Sequence, residues 1–192
     1  MKISSRIARR VGVAAVAVAA IATPAAALAA PGGAARPAAA AAVYRCYQQQ
    51  LMIWLGIPGG ATAGSLYYPL EFSNVSHHTC TLRGFPGVLA IGPNGKQLGR
   101  PAARVYTGPV PLVTLRPGHS AHAVLQIAIA GVYPPPVGES VTAIALKVYA
   151  ANDARARARY IMFSFPACAR RDTDYLHIRA TVPGIGVPMF LS

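Results

Sequence analysis

Three arginines alternate with other residues shortly after position 154, and two more follow further along the chain. Guanidinium groups bind carboxylates and phosphates through paired hydrogen bonds. If this segment is extended, alternate side chains lie on one face, so the three guanidiniums form a short basic ladder. The alternative is a charged edge strand, which prevents pairing with another chain. The residues of this predicted anion-binding strip are Arg155, Arg157, Arg159, Arg170 and Arg171.

Four histidines suggest a second chemistry, the binding of copper or zinc. Two of them are adjacent, and the other two are three positions apart. Side chains three positions apart on a strand lie on opposite faces. The second pair can therefore share a metal ion only if its first histidine lies in a turn. A closed metal site needs three or four ligands, and no neighbouring carboxylate or CxxC motif completes one. We therefore predict no cofactor, with an extracytoplasmic metal-binding domain as the alternative. The histidines are His77, His78, His119 and His122.

Neither the carboxylates nor the glycines form a catalytic pattern. The closest acidic pair, Asp172 and Asp174, is not enough for hydrolysis by paired carboxylates, which must face each other across a cleft. Ser65 does not belong to a GxSxG nucleophile motif, and no glycine-rich phosphate loop is present. We predict that the protein is not an enzyme.

The elements that must position these residues have the two-residue period of β-strands. Apolar and polar residues alternate at 66–73, 121–129, 144–148 and 175–182, and turn signals separate these segments. Pro69 lies inside the first segment and predicts an edge strand or a bulge. About seven or eight short strands with this spacing predict an all-β domain, an antiparallel two-sheet β-sandwich of immunoglobulin-like type. A barrel is the alternative.

The N-terminal residues have the pattern of a secretory signal peptide. A basic head precedes the apolar run Val11 to Ile21, which is too short for a membrane anchor, and small residues for cleavage follow at 27–29. We expect the general export route rather than the twin-arginine route, a secreted or cell-wall-associated protein, and no transmembrane segment in the mature chain. The predicted divisions are a signal peptide at 1–29, an Ala/Pro/Gly-rich spacer at 30–43 and the β-sandwich domain at 44–192.

The charge of the chain favours anionic partners. The net charge is +13, and about +9 remains after removal of the signal peptide, which carries four basic residues. Such an excess suits an anionic cell-wall polymer, a membrane surface or an acidic region of another envelope protein. Nucleic acid is excluded because an exported protein rarely meets it. The alternative is that the charge only keeps the domain soluble.

Several strings in the domain resemble a known family. The most specific is CTLRGFPGV at 80–88, and GSLYY at 64–68, LEFSN at 70–74 and VTLRPG at 113–118 agree with it. The chain resembles the secreted actinobacterial family called domain of unknown function 4232, from Cys46 to about Val182. The resemblance implies an exported or surface-tethered β-sandwich behind a low-complexity spacer, with no established activity.

The resemblance also implies a disulfide bond. Family members carry two early and two late cysteines; Cys46 and Cys80 match the early pair and Cys168 the last, whereas the loop at 132–139 lacks the third. A Cys46–Cys80 bond closes a loop of about 34 residues and contributes about 3–4 kcal/mol in the chain-entropy model. We expect Cys168 to remain a thiol. It is either a buried remnant of a lost bridge or a site of intermolecular bonding or redox chemistry.

Together these patterns predict a secreted or cell-envelope β-sandwich that binds a partner without catalysing a reaction. The arginine strip is the expected contact, and extracytoplasmic binding of copper or zinc is the alternative function. The patterns leave open the ligand and the oligomeric state.

Overall fold

The computed structural model describes residues 44–62, 64–132, 140–151 and 157–186. Strands dominate these residues, and helical structure within them is limited to two 3-10 turns, Gln48–Gln50 and Ala130–Val132. The prediction of an all-β domain is therefore confirmed. The predicted signal peptide and spacer, together with Arg155, lie outside the described residues.

The strands exceed the seven or eight that were expected, because several are pairings of two or three residues. Such short pairings are too brief to produce a visible alternation in the sequence. In chain order the strands are β1 (Tyr44–Arg45), β2 (Leu51–Leu55), β3 (Ala61–Thr62), β4 (Ser65–Asn74), β5 (Cys80–Arg83), β6 (Gly87–Ile91), β7 (Gln97–Leu98), β8 (Ala103–Val105), β9 (Leu112–Leu115), β10 (Ser120–Ala128), β11 (Ser140–Tyr149), β12 (Arg159–Cys168), β13 (Leu176–Arg179) and β14 (Val182–Pro183).

The described strands form three hydrogen-bonded sheets rather than the two that were expected. The first has the order β1-β5-β9, and the third has the order β12-β11-β6-β7. The second has the order β2-β4-β10-β13-β8, with β3 paired to β4 and β14 to β10. Most pairings are antiparallel, but β1 with β5 and β13 with β8 are parallel. Alternation reports which face of a strand is buried, and it contains no information about strand direction or sheet membership.

Strand β4 lies inside the second sheet, so of the two expectations at Pro69 the edge strand is wrong, whereas the regular pairing is interrupted opposite Pro69, between β2 and β3. β4 pairs with β10 on one side, and β2 and β3 pair with it on the other. The regular pairing with β4 is interrupted between Leu55 and Ala61, where the carbonyl oxygen of Pro69 accepts a hydrogen bond from the Gly56 amide at 2.8 Å. In an antiparallel strand the N–H and C=O groups of one residue point to the same neighbouring strand. The N–H that Pro69 lacks would therefore point to this interruption between β2 and β3.

One buried cluster joins residues of all three sheets. It contains Leu82 of the first sheet, Phe72 and Leu125 of the second, and Val88 and Leu146 of the third. The predicted disulfide between Cys46 and Cys80 is present within this cluster and joins β5 to the chain that follows β1. The described strands are thus anchored around a single core, and the outer face of the second sheet is left for other contacts.

Candidate ligand-binding pocket

A pocket of about 350 Å³ lies on the outer face of the second sheet. Its floor is formed by residues of β10 and β13 and by the chain that leads into β14. Its wall is formed by the segment that follows β8 and by the phenylalanine that follows β5. The lining residues are Phe85, Tyr106, Thr107, Gly108, Pro109, His122, Val124, Arg179, Ala180 and Val182.

The alternation of β10 places the floor residues. Its odd-numbered residues from 121 to 127 are buried in the core, so His122 and Val124 face the opposite side. Leu125 pairs with Ile178 in the antiparallel partner β13. Val124 precedes Leu125 and Arg179 follows Ile178, so in this antiparallel pair both lie on the outer face, and the guanidinium belongs to the pocket floor.

The wall of the pocket is aromatic and has a positive charge next to it. The rings of Phe85 and Tyr106 meet edge to face, with centroids 4.7 Å apart. The guanidinium carbon of Arg104 lies 5.7 Å from the centroid of the Phe85 ring, within the range of a cation–π contact. Tyr106 remains 68% exposed. An exposed ring at a pocket mouth is available to stack on a flat ligand.

A buried carboxyl group lies beside the pocket. Glu71 of β4 is paired with His122 of β10 and is only 1% exposed. Its Oε1 accepts a hydrogen bond from the Gly186 amide at 2.7 Å, while its Oε2 has no hydrogen-bond partner among the described residues. The Nδ1 of His122 lies 3.0 Å from the carbonyl oxygen of Gly184. These two contacts hold the segment 184–186 across the outer face of the sheet.

The buried position of Glu71 changes its acidity. Burial raises the pKa of the Glu71 carboxyl, and the hydrogen bond from Gly186 and the charge of His122 oppose that rise. Glu71 itself does not line the pocket, whereas the positively charged guanidinium of Arg179 does, which favours an anionic ligand.

The predicted arginine strip is divided between the two ends of β12. Arg159 is the first residue of this strand and Arg157 precedes it, whereas Arg170 and Arg171 follow its last residue. All four are exposed. Ten strand residues span about 33 Å, so the two groups cannot contact one small anion together.

The two ends of β12 also differ in their partners. Arg170 donates from Nε and Nη2 to the two carboxylate oxygens of Asp172, at 3.2 and 2.9 Å. This pair holds the pKa of Asp172 below its usual value. Arg159 lies in β12, which is the outermost strand of the third sheet among the described residues. Both the charged-edge and the anion-binding interpretations of Arg159 stay predictions.

The predicted histidine ligands are spread over different parts of the fold. His77 and His78 are exposed in the turn between β4 and β5, and His119 is exposed in the turn before β10. His122 lies in the pocket floor. Within the described residues, no group of three or more histidine, cysteine, aspartate or glutamate side chains is placed to hold a metal ion. Metal binding stays a prediction without a described set of ligands.

Cys168 is a thiol at the end of β12 and is buried. Burial raises the pKa of this thiol, so less of the reactive thiolate is present. This environment favours the buried remnant over the intermolecular bond or the redox site.

Sequence patterns did not identify the pocket. The alternation at 175–182 places Arg179 on a polar strand face, and Phe85 belongs to the string CTLRGFPGV at 80–88. The sequence does contain one indication of the pocket: the strand alternation places three ionisable residues on the face opposite the core. They are Glu71, His122 and Arg179. The wall is contributed by the loop at 106–109, whose folding over that face no local pattern reports.

Comparison with known proteins gives one match. Residues 46–181 match the family described as Domain of unknown function (DUF4232). The matched range includes every pocket residue except Val182. No curated protein and no solved structure matches the chain. Within the part of the chain that the structure describes, no helix has the length and apolar character needed to cross a membrane.

Proposed function

The chain belongs to the DUF4232 family, and on that premise we propose that it is a non-enzymatic binding module for an anionic ligand. One observation carries the proposal: the same pocket is lined by the Arg179 guanidinium and by the aromatic wall of Phe85 and Tyr106. Concave, largely apolar sites with a few charged groups are typical of ligand pockets. The pocket lining supplies binding groups, and we assign no reaction to it.

The pocket also indicates the size and chemistry of the ligand. Small-molecule pockets have volumes of about 300–1,000 Å³, so a pocket near the lower limit suits one ring and its substituents. The planar guanidinium of Arg179 matches a carboxylate or phosphate group. The rings of Phe85 and Tyr106 suit a flat apolar portion. A carboxylate or phosphate attached to a single ring is therefore the proposed ligand class.

Titration with phenyl phosphate, followed by ¹H–¹⁵N NMR, tests this proposal. We expect shifts of the amide signals of Tyr106 and Thr107 and of the Nε signal of Arg179. The variant Arg179→Gln should bind about tenfold to a hundredfold more weakly, because a charge-assisted hydrogen bond contributes about 1.5–3 kcal/mol. Inorganic phosphate should bind more weakly than phenyl phosphate, because it cannot use the aromatic wall.

Arg116→Gln is the matched control for this titration. Arg116 carries the same charge, but it is exposed in the turn between β9 and β10 and does not line the pocket. It should leave the affinity for phenyl phosphate within about twofold, because an exposed charge outside the site is screened by salt. Equal losses in the two variants, or signal shifts scattered over the surface, would contradict a specific site.

The proposed module acts outside the cytoplasm, either secreted or associated with the cell wall. The signal-peptide pattern supports this location, and so does the Cys46–Cys80 disulfide, because disulfides persist in oxidising compartments. The partners that suit its charge are an anionic cell-wall polymer, a membrane surface or another envelope protein. Binding of the anionic group by Arg179 agrees with each of them.

The proposed scaffold for this function is a two-layer, immunoglobulin-like sandwich. The core shared by the three sheets supports it, and so does the long antiparallel pairing of β4 with β10. In such a sandwich the first sheet extends one of the two layers. An experimental structure in which the sheets close into a continuous barrel would contradict this arrangement.

A further inference from the structure

A lysine on the third sheet lies between two tyrosines. The Nζ of Lys147 is 5.7 Å from the ring centroid of Tyr149 and 5.9 Å from that of Tyr160. Lys147 and Tyr149 belong to β11, and Tyr160 belongs to the neighbouring β12, where it is paired with Lys147. These three residues are called the tyrosine–lysine face below.

The tyrosine–lysine face belongs to the outer side of the sheet. Leu146 and Val148, which flank Lys147 in β11, are fully buried in the core. Because successive side chains alternate, Lys147 and Tyr149 face away from that core. Tyr160 is 59% exposed, and Met162 beside it on β12 is 75% exposed. An aromatic and cationic surface is therefore presented on the outer side of the third sheet.

The positive charge of this surface is not balanced by the described carboxylates. Glu71 is buried in the second sheet, Asp172 pairs with Arg170, and Asp174 pairs with Arg100 at 3.6 Å. The exposed Arg157 and Arg159 stand at the end of β12 next to Tyr160, and they add to the charge of Lys147. The tyrosines also raise the pKa of Lys147, so its ammonium group stays protonated.

We propose that the tyrosine–lysine face binds an acidic polysaccharide. The tyrosine rings offer flat amphipathic surfaces for sugar rings, and the ammonium group of Lys147 binds the carboxylates that the sugars carry. Neighbouring strands are about 4.8 Å apart, so contacts on β11 and β12 can follow an extended polymer. This surface is separate from the pocket, which lies on the second sheet, and its binding does not depend on the pocket ligand.

Isothermal titration calorimetry of the full chain with polygalacturonate tests the proposal. Lys147→Gln and Tyr160→Ala should each weaken binding about fivefold or more, because one removes the cation and the other an exposed ring. Tyr160 is largely exposed, so its removal leaves the core intact. Raising the sodium chloride concentration from about 50 mM to about 300 mM should weaken binding by the wild type, because salt screens exposed charges.

Lys96→Gln provides a matched control, because it removes the same charge from the exposed turn between β6 and β7. It should change the affinity less than twofold, and the neutral polymer dextran should bind much more weakly than polygalacturonate. An equal loss in the Lys147 and Lys96 variants would overturn the proposal and show a non-specific charge effect. Absence of polygalacturonate binding would also overturn it. Tighter binding to phosphatidylglycerol vesicles than to the polymer would assign the face to a lipid surface instead.

Discussion

At the scale of single residues, three neighbours enclose the carboxyl group of Glu71. His122 faces it from β10, Trp54 from β2, and the backbone of Gly186 covers it from the C-terminal side. A β-carbon at Gly186 would lie 3.0 Å from Glu71 Oε1 and 2.4 Å from the Pro69 β-carbon, so a glycine is needed for this close approach. The sequence therefore supplies both the acid and the cover that desolvates it.

Glu71→Gln should flatten the dependence of stability on pH. Burial raises the pKa of Glu71 in the folded protein above its ordinary value of 4.5. The folded state therefore binds the proton more tightly than the unfolded state, and stability falls as the pH rises from the ordinary value through the raised one. Glutamine cannot ionise, so the variant should lose less of its free energy of unfolding between about pH 4.5 and pH 7. Urea unfolding at several pH values measures this.

Asp172→Asn is the control for the Glu71 variant, because its shift has the opposite sign. Arg170 lowers the pKa of Asp172, so the stability from this pair is present above the ordinary pKa and is lost as the pH falls. That variant should leave the decline above pH 4.5 unchanged. A Glu71→Gln profile that runs parallel to the wild-type profile would show that the buried carboxyl does not titrate in this range.

Gly99→Ala should be strongly destabilising. Gly99 has φ +66°, and an added β-carbon would lie 2.1 Å from Cε1 of Tyr175. Tyr175 cannot move away easily, because it is fully buried and its hydroxyl donates a hydrogen bond to the Leu98 carbonyl at 3.0 Å. We expect a loss of more than about 3 kcal/mol in the free energy of unfolding, from the left-handed backbone and the overlap together.

The same substitution at Gly95 separates the two causes of that loss. Gly95 has φ +72°, but an added β-carbon there would meet no atom within 4 Å. Gly95→Ala should therefore cost only the backbone strain, about 1–2 kcal/mol. Thermal or urea unfolding of both variants gives the comparison. Equal losses would mean that Tyr175 has room to shift and that the overlap is relieved.

At the scale of strands, the sequence predicts the long elements well. The even parity of 66–72 and the alternation of 121–129 correspond to β4 and β10, which pair over nine residues. Each of these strands buries one face, and burial is the property that alternation records. Strands of two or three residues, such as β7 and β8, bury too few side chains to leave the same record.

The site was less predictable than its scaffold, for a reason that also lies at the scale of elements. The outward positions of His122 and Arg179 follow from parity, so the ionisable face was within reach of sequence analysis. The pocket arises because Tyr106 and the loop after it fold over that face, and because β8 pairs in parallel with β13. The paired residues of β8 and β13 are 74 positions apart, and single-sequence periodicity carries no information about such contacts.

At the scale of the whole molecule, both proposed sites result from the same excess of basic over acidic residues. The chain has 18 lysines and arginines against five acidic residues, and the described carboxylates are buried or ion-paired. Arg179 in the second sheet and Lys147 in the third are therefore left to attract anions from outside the domain. A general positive field attracts anions to the surface, while the aromatic residues at each site determine which of them stay bound.

At the same scale, the proposed export of the chain predicts the mass of the mature protein. If the signal peptide is removed after Ala29, protein recovered from the culture medium should begin at Ala30. Intact mass spectrometry without reductant should show a monomer with the Cys46–Cys80 bond closed. Alkylation should add one group after denaturation, at Cys168, and three after denaturation and reduction. Native protein should react slowly, because Cys168 is buried.

Three other results would each contradict a different prediction about the mature protein. A disulfide-linked dimer would mean that Cys168 reaches the surface and joins two chains, contrary to its buried position in β12. Three alkylated cysteines without reductant would remove the disulfide, and with it the constraint that ties β5 to the chain after β1. An uncleaved protein found only inside the cell would contradict export. The Cys46–Cys80 disulfide would then lack the oxidising compartment in which such bonds persist. The pocket and the tyrosine–lysine face would then have to meet their anions in the cytoplasm.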